Sequence, residues 1–321
     1  MAGWSSLPPE VMREAVQVAV KSNPESACEF ATISRDWQDY VEEKTFASLK
    51  TRSTQIQQLR DIVTPLRQSY IRNMIFEVVL PEYDAKSLAW YKETLEEQKL
   101  NSRFFTDAIL LFFDAVAGWN SPAAGKLEER RGISLRISAS CPSDKVPDRY
   151  GVLRRRYKRW DRSVLEILQD YDRKIPLLPA ISEFLCGDDF HSRKLSPRAC
   201  CDIAAQMPNV HTLEWKFWFR YKLDLSLADP YFLAAAHAAQ HMPRLKEFFL
   251  EWMATPLPCG LEYKISNDGG PRAMLTLWGS PPAEPSLELK EAWGKVTEIL
   301  VGSPDMMEVE LQDEGRVFEP M

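Results

Sequence analysis

The sequence predicts an α/β protein in two parts: a three-helix module over residues 1–52 and an irregular α/β solenoid with a parallel sheet over residues 53–321. Three observations predict this architecture. Apolar residues near the amino terminus recur at helical spacing. Helical and strand patterns then alternate along the chain. One helix–turn–strand pattern occurs twice, at Met207 and at Met242, with a period of 35 residues (242 − 207).

The amino-terminal module is predicted to contain three short helices. The apolar positions of the first recur at steps of four and three residues: Val11, Ala15 and Val18. Asn23-Pro24 ends this helix, because the residue before a proline is pushed out of the α region. A second short helix follows, and Ser34 caps the third. The apolar side chains of the third helix face one way: Trp37, Tyr40 and Val41.

Two runs of this module are Leu7-Pro8-Pro9-Glu10-Val11 and Ile33-Ser34-Arg35-Asp36-Trp37. Together they resemble the F-box, and Trp4 stands where some F-box proteins have an aromatic residue. Ala15 and Ala27 depart from the larger aliphatic residues usual in that family. The resemblance implies binding to a Skp-type adaptor, and through it to a cullin, by these residues: Trp4, Leu7, Pro8, Glu10 and Val11. The alternative interpretation is an ordinary helical cap.

Composition limits the class of protein. An apolar fraction of 45% with 27% charged residues is ordinary for a globular protein, and the net charge of −6 disfavours general nucleic-acid binding. The six cysteines form no CxxC pair, which favours a reducing compartment. The amino terminus lacks a secretory signal, and the apolar run at 104–119 is too short to cross a bilayer comfortably. We therefore expect a cytoplasmic or nuclear protein without membrane contact.

The remaining elements follow in order. Helices are predicted within residues 51–68, over 104–117 with Asn101 or Ser102 as cap, from about 154 onwards, and over 287–300. Strands are predicted over 71–80, 133–137, 178–185, 273–278 and 306–311. The basic cluster at 154–159 fits a solvated helix face, with a nuclear-import signal or a phosphate-binding patch as alternatives.

The repeated pattern favours a solenoid. Met207-Pro208 and Met242-Pro243 each follow a helical pattern and precede an alternating strand (HTLEWKFWF and RLKEFFLEW). Tandem helix–strand units of this kind stack into a parallel sheet, and here they resemble a degenerate leucine-rich repeat. The whole arrangement is similar to the large group of F-box proteins from filamentous fungi. A compact doubly wound α/β domain is the alternative fold.

No motif for bond chemistry was found, so we expect no catalytic residue and no cofactor. His237 and His241 are one helical turn apart, but the glutamate of HExxH and a third ligand are missing, so no metal is expected. The strand over 213–221 alternates, which places three side chains on the face opposite Trp215 and Phe217: Lys216, Trp218 and Arg220. We expect these three to bind a target protein with an acidic segment.

Function follows from the resemblance. It implies a substrate receptor of an SCF-type cullin–RING ubiquitin ligase, which holds an unknown target and performs no chemistry itself. The alternative is a non-catalytic repeat scaffold for protein–protein interaction without coupling to a ubiquitin ligase. A hydrolase of unrecognised type is a third hypothesis.

Overall fold

Strands with alternating apolar residues form the centre of the structure, a mixed α/β fold with a mostly parallel sheet. The structure is a computed structural model. It describes residues 8–83, 93–119, 132–145, 164–168, 174–186, 193–219, 229–254, 259–267, 270–279 and 284–313.

Five of the helices in these ranges begin at polar caps. Serine or threonine hydroxyls accept a backbone hydrogen bond at five of the helix starts, those at Arg35, Pro65, Leu95, Pro197 and Leu287. The described α-helices are α1 (Pro9–Ser22), α2 (Ala27–Phe30), α3 (Arg35–Phe46), α4 (Ile56–Ile62), α5 (Pro65–Gln68), α6 (Leu95–Val116), α7 (Pro197–Ala204), α8 (Asp229–Ala239) and α9 (Leu287–Val301).

The strands pair in the order in which they occur along the chain. They are β1 (Ser48–Arg52), β2 (Asn73–Val79), β3 (Ile133–Ser140), β4 (Val164–Leu165), β5 (Ile181–Cys186), β6 (Lys194–Leu195), β7 (Thr212–Phe219), β8 (Glu247–Ala254), β9 (Cys259–Ser266), β10 (Arg272–Gly279) and β11 (Met307–Asp313). The main sheet has the order β1-β2-β3-β5-β7-β8-β9-β10-β11, and β4 pairs with β6. A doubly wound fold needs a reversal of strand order, which the described strands lack.

One face of the sheet carries rows of apolar side chains in lateral register. The most buried row is Met74, Leu135, Phe184, Leu213, Phe248, Tyr263 and Leu275, each at most 1% exposed. Helices cover this inner face. The ring of Phe112 in α6 stacks on Phe76 at 4.1 Å between centroids, and Trp293 in α9 lies 5.5 Å from Phe248. The core therefore lies between the sheet and its helices.

The other face of the sheet, called the open face below, is mixed in character. Its central row is Ile75, Arg136, Leu185, Glu214, Phe249, Glu262, Thr276 and Glu310. None of these residues belongs to the main core cluster, to which α4 and α6–α9 contribute their buried residues. Helices α4 and α6–α9 thus pack on the inner face.

The predicted parallel pairing of the two strands that follow Met-Pro is confirmed at β7 and β8. These strands are parallel neighbours, with Leu213 opposite Phe248. The turn before each strand is the same: the Val210 amide donates to the Met207 carbonyl (3.1 Å), and the Leu245 amide donates to the Met242 carbonyl (3.0 Å). The sequence prediction missed a third copy of this turn before β5, at Leu178-Pro179-Ala180-Ile181, with a bond of 3.2 Å.

The expectation of a fully parallel sheet is wrong at β9, which runs antiparallel to both neighbours. The reason is connection length. Residues 255–258 are all that separates β8 from β9, whereas a parallel crossover needs about a dozen residues or more. The hairpin from β9 to β10 turns through Gly270, whose φ of +119° favours glycine.

Three further expectations need correction. Helix α6 begins at Leu95 rather than near residue 104, because Thr94 and Glu97 form a capping box. The helix expected from residue 154 lies largely outside the described residues, and Val164–Leu165 is a strand. The linking helix within 51–68 is two helices, α4 and α5, broken before Pro65.

Candidate interaction surfaces

The amino-terminal module, residues 8–46 of the described chain, has a small core of its own. Val16, Trp37 and Val41 form a buried cluster separate from the main core. The ring of Phe30 lies 5.8 Å from that of Trp37. As predicted, Ser34 caps α3, its hydroxyl accepting the Trp37 amide at 3.3 Å. These contacts hold three short helices together around one tryptophan.

Helix α1 presents an apolar stripe to solvent. Val11 and Val18 are 46% and 58% exposed, whereas the side chains that α1 buries are Met12 and Val16. Val11, Ala15 and Val18 lie within about 60° of one another around the helix axis. The stripe predicted from the sequence is therefore present, but it faces away from the module's core.

Three of the five residues predicted to bind the adaptor lie on or beside α1. Pro8 and Glu10 are exposed, and Val11 opens the stripe just defined. Trp4 and Leu7 lie outside the residues that the structure describes. The adaptor assignment stays a prediction for all five.

An ion pair joins the module to the sheet domain. Arg67 in α5 donates to both carboxylate oxygens of Glu42 in α3, at 2.6 and 3.0 Å, and its guanidinium lies 4.9 Å from the centre of the Phe46 ring. The hydrogen bonds from Arg67 lower the pKa of Glu42 below its usual value. A two-pronged contact of this kind fixes orientation as well as distance.

Two of the three residues predicted to bind a target, Lys216 and Trp218, belong to β7. Lys216 occupies the open face, where its Nζ is 2.7 Å from Glu214 Oε1, so a neighbouring carboxylate offsets its charge. Trp218 pairs with Met253 in the strand register, and its side chain lies outside the described residues. Arg220 also lies outside them. Trp215 is fully buried on the inner face, as the alternation predicted.

An aromatic pair on the open face was not predicted. Phe249 in β8 and Trp278 in β10 stack with centroids 6.2 Å apart and an interplanar angle of 23°. Gly260 in β9 lies between them, and a methyl group there would overlap the six-membered ring of Trp278 and the Leu250 carbonyl oxygen. Glycine therefore allows the indole to lie flat on the sheet. Both aromatic side chains remain partly exposed.

A buried ionic network lies at the carboxyl ends of β2 and β3. Arg193, with its side chain 1% exposed, donates to Asp144 and to Glu93, each at 2.8 Å. Tyr83 donates to Asp144, and Asn101 donates to Glu93, both at 2.8 Å. Burial lowers the pKa of Arg193, but the two carboxylates outweigh it and raise that pKa overall. The network ties together chain segments that are far apart in sequence.

Cysteine and histidine side chains are common participants in bond chemistry. Cys186 and Cys200 place their sulfurs 3.3 Å apart in the core, and burial raises the pKa of Cys200 well above that of a free thiol. Burial also raises the pKa of Cys201, to about 12. Both of these thiols are protonated at neutral pH and are poor nucleophiles. His237 and His241 are exposed.

Metal and membrane sites were also sought among the described residues. They contain no group of three or more histidine, cysteine, aspartate or glutamate side chains placed to hold a metal ion. None of their helices has both the length and the apolar character that crossing a membrane requires. No protein-family model, curated protein or solved structure matches the chain.

Proposed function

We propose that this protein is a substrate receptor of an SCF-type cullin–RING ubiquitin ligase in the cytoplasm or nucleus. The amino-terminal module acts as an F-box that binds a Skp-type adaptor. The sheet domain is an irregular leucine-rich-repeat-like solenoid that holds the target. The receptor performs no bond chemistry and works by raising the local concentration of target beside the ligase.

The observation that carries the proposal is the exposed stripe of α1. The module buries three residues in its cluster and exposes three large aliphatic residues, Val11, Val18 and Ile33, at 46–58%. Single exposed apolar residues are common, but a row along one helix suggests a docking surface. The row begins at Val11, which is the last residue of the run Leu7–Val11 that resembles the F-box.

The order of the strands supports the role of the sheet domain. Mostly parallel strands paired in chain order, with α4 and α6–α9 on one face, agree with a stack of helix–strand units. Such a stack leaves one broad sheet face for a partner. The aromatic pair on that face has the side-chain type that most often dominates protein interfaces.

Co-purification with a Skp-type adaptor tests the proposal. The full chain, co-expressed with a fungal Skp-type adaptor, is expected to elute with it as one complex. Changing both Val11→Asp and Val18→Asp should abolish the complex, because two carboxylates would be buried against an apolar surface. The double change Leu7→Ala with Pro8→Ala should do the same.

Gln17→Asp is the matched control. It adds a charge to the exposed side of α1 but lies about 100° from the stripe, so it should leave the complex intact. Adaptor binding unchanged in the Val11→Asp, Val18→Asp variant would remove the stripe from the interface. A wild-type chain that never captures the adaptor would leave the non-catalytic scaffold as the better proposal.

A further inference from the structure

The open face over β7–β11 carries an excess of negative charge. The register places nine ionisable side chains on it: Glu214, Lys216, Glu247, Glu251, Glu262, Lys264, Arg272, Glu308 and Glu310. Six glutamates and three cations leave a net charge of −3. Each cation is already within 2.7–3.4 Å of a glutamate on the same face: Lys216 with Glu214, Lys264 with Glu247, and Arg272 with Glu308. The surface is thus acidic overall, although β7 alone suggested a basic one.

Two of the glutamates flank the aromatic pair. Glu262 is directly opposite Phe249 across the β8–β9 pair, and it is opposite Thr276 across the β9–β10 pair. Thr276 in turn lies opposite Glu310 in β11. Strands are about 4.8 Å apart, so Glu262 and Glu310 lie about 10 Å apart on either side of Thr276. Trp278 is the next residue of β10 on the same face.

This arrangement has the chemistry of a site for a cationic side chain. The face of an indole attracts a cation, and a nearby carboxylate adds a charge-assisted hydrogen bond. Arginine suits both contacts better than lysine, because its planar guanidinium stacks on an aromatic ring and forms a forked bond with a carboxylate. Gly260 leaves room for the indole against the sheet, where the ring stacks on Phe249, so the indole does not have to be ordered when a ligand binds.

We propose that the open face over β8–β11 binds an arginine-containing basic segment of a partner protein, with an arginine stacked on Trp278 and Phe249 and paired with Glu262 or Glu310. The net negative charge of the open face favours a basic partner segment over an acidic one. The inference rests on the proposed function only in identifying the partner as the target of the receptor. The binding surface itself requires no adaptor.

Fluorescence anisotropy with the full-length protein tests the inference. The probes are three labelled twelve-residue peptides in which serine alternates with arginine, lysine or glutamate. We expect the arginine peptide to bind tightest, the lysine peptide more weakly, and the glutamate peptide not at all. The double change Glu262→Gln with Glu310→Gln should weaken binding of the arginine peptide about tenfold, as expected from losing two partly solvated charge pairs.

A matched control separates this site from bulk charge. Glu291→Gln with Glu298→Gln makes the same change in net charge on exposed positions of α9, in the helix layer rather than on the open face. It should change the affinity less than about twofold, since exposed charges act weakly at a distance. In a second variant, Trp278→Leu, the preference for arginine over lysine should disappear while the thermal melting curve remains cooperative.

Several results would overturn the inference. One is that the α9 control weakens binding of the arginine peptide as much as Glu262→Gln with Glu310→Gln does. The others are that the glutamate peptide binds more tightly than the arginine peptide, or that the arginine peptide does not bind. Self-association of the chain that is lost in Glu262→Gln with Glu310→Gln would assign the face to a second copy instead. Adaptor capture is measured separately. A chain that captures the adaptor but not the peptide refutes this inference alone, and the reverse result refutes only the ligase assignment.

Discussion

The amino-terminal module and the sheet domain use apolar residues in opposite ways. The sheet domain buries whole rows of large side chains between its strands and helices, many of them less than 1% exposed. The module buries a cluster of three and leaves as many large aliphatic residues in contact with water. A unit that small is marginally stable alone. We infer that the sheet domain can be stable by itself, whereas the module depends on contact with a neighbouring surface.

The largest expected effect lies in the sheet domain. Arg193→Met should lower the free energy of unfolding by about 3–5 kcal/mol, because Asp144 and Glu93 would remain buried without their counter-charge. Arg272→Met is the control. Its partner Glu308 and Arg272 itself have side chains 62% and 66% exposed, so the loss should stay within about 0.5 kcal/mol. Denaturant titration of both variants measures the difference, and similar losses would mean that the buried network contributes little.

Trp37→Ala tests whether the module can unfold while the sheet domain stays folded. Removing the centre of its cluster should cost about 3–5 kcal/mol, which is as much as a core of that size is expected to supply. Hydrogen exchange should therefore show loss of protection over residues 9–46, with protection of β2 and β3 retained. If protection were lost through the sheet as well, the two regions would be one cooperative unit, and the proposed difference in their stability would be wrong.

Gly260→Ala probes the open face. The added methyl group has no room beside the Leu250 carbonyl and the Trp278 ring, so we expect a loss of about 1–3 kcal/mol and a change in tryptophan fluorescence. Gly118→Ala is the control, since nothing lies within 4 Å of a methyl group there. A neutral Gly260→Ala variant would show that the aromatic pair is not held against the sheet as described.

The smallest effect concerns the joint between the two regions. Glu42→Gln should cost about 1 kcal/mol at neutral pH, and Glu43→Gln, whose partner Arg13 is exposed, should cost less. The pKa of Glu42 is lowered in the folded state, so its contribution is present above the ordinary glutamate pKa of about 4.3 and is lost as the pH falls towards the lowered value. The difference between wild type and Glu42→Gln should therefore shrink below about pH 4. A constant difference would exclude the ion pair as the cause.

Local patterns predicted much of the fold. The same Met-Pro turn precedes β7 and β8, and both strands alternate in the same way, so the pairing of these two strands could be predicted from the sequence. The start of α6 could also have been predicted from the sequence, because Thr94 and Glu97 have the spacing of a capping box. Strand β9 was missed, although Leu261, Tyr263 and Ile265 alternate with polar residues or glycine as in a half-buried strand.

The candidate site was less accessible to sequence reasoning. Phe249 and Trp278 come together only because β9 turns back between them, and no local pattern states that pairing. The ionic network is still less local, since Glu93 and Arg193 are separated by 100 residues. The net charge of the open face was also hard to predict, because Lys216 by itself suggested a basic surface on β7. Only the register with β8–β11 shows that glutamates predominate on this part of the face.

The order of the strands also bears on how the protein is made. A ribosome releases the chain from its amino terminus, and domains fold as their segments emerge. In this sheet each main-sheet strand after β1 pairs with the main-sheet strand synthesised just before it. Every new strand therefore meets an edge that already exists, and none must wait for a later strand or be inserted between two earlier ones. Synthesis itself can build the sheet one edge at a time.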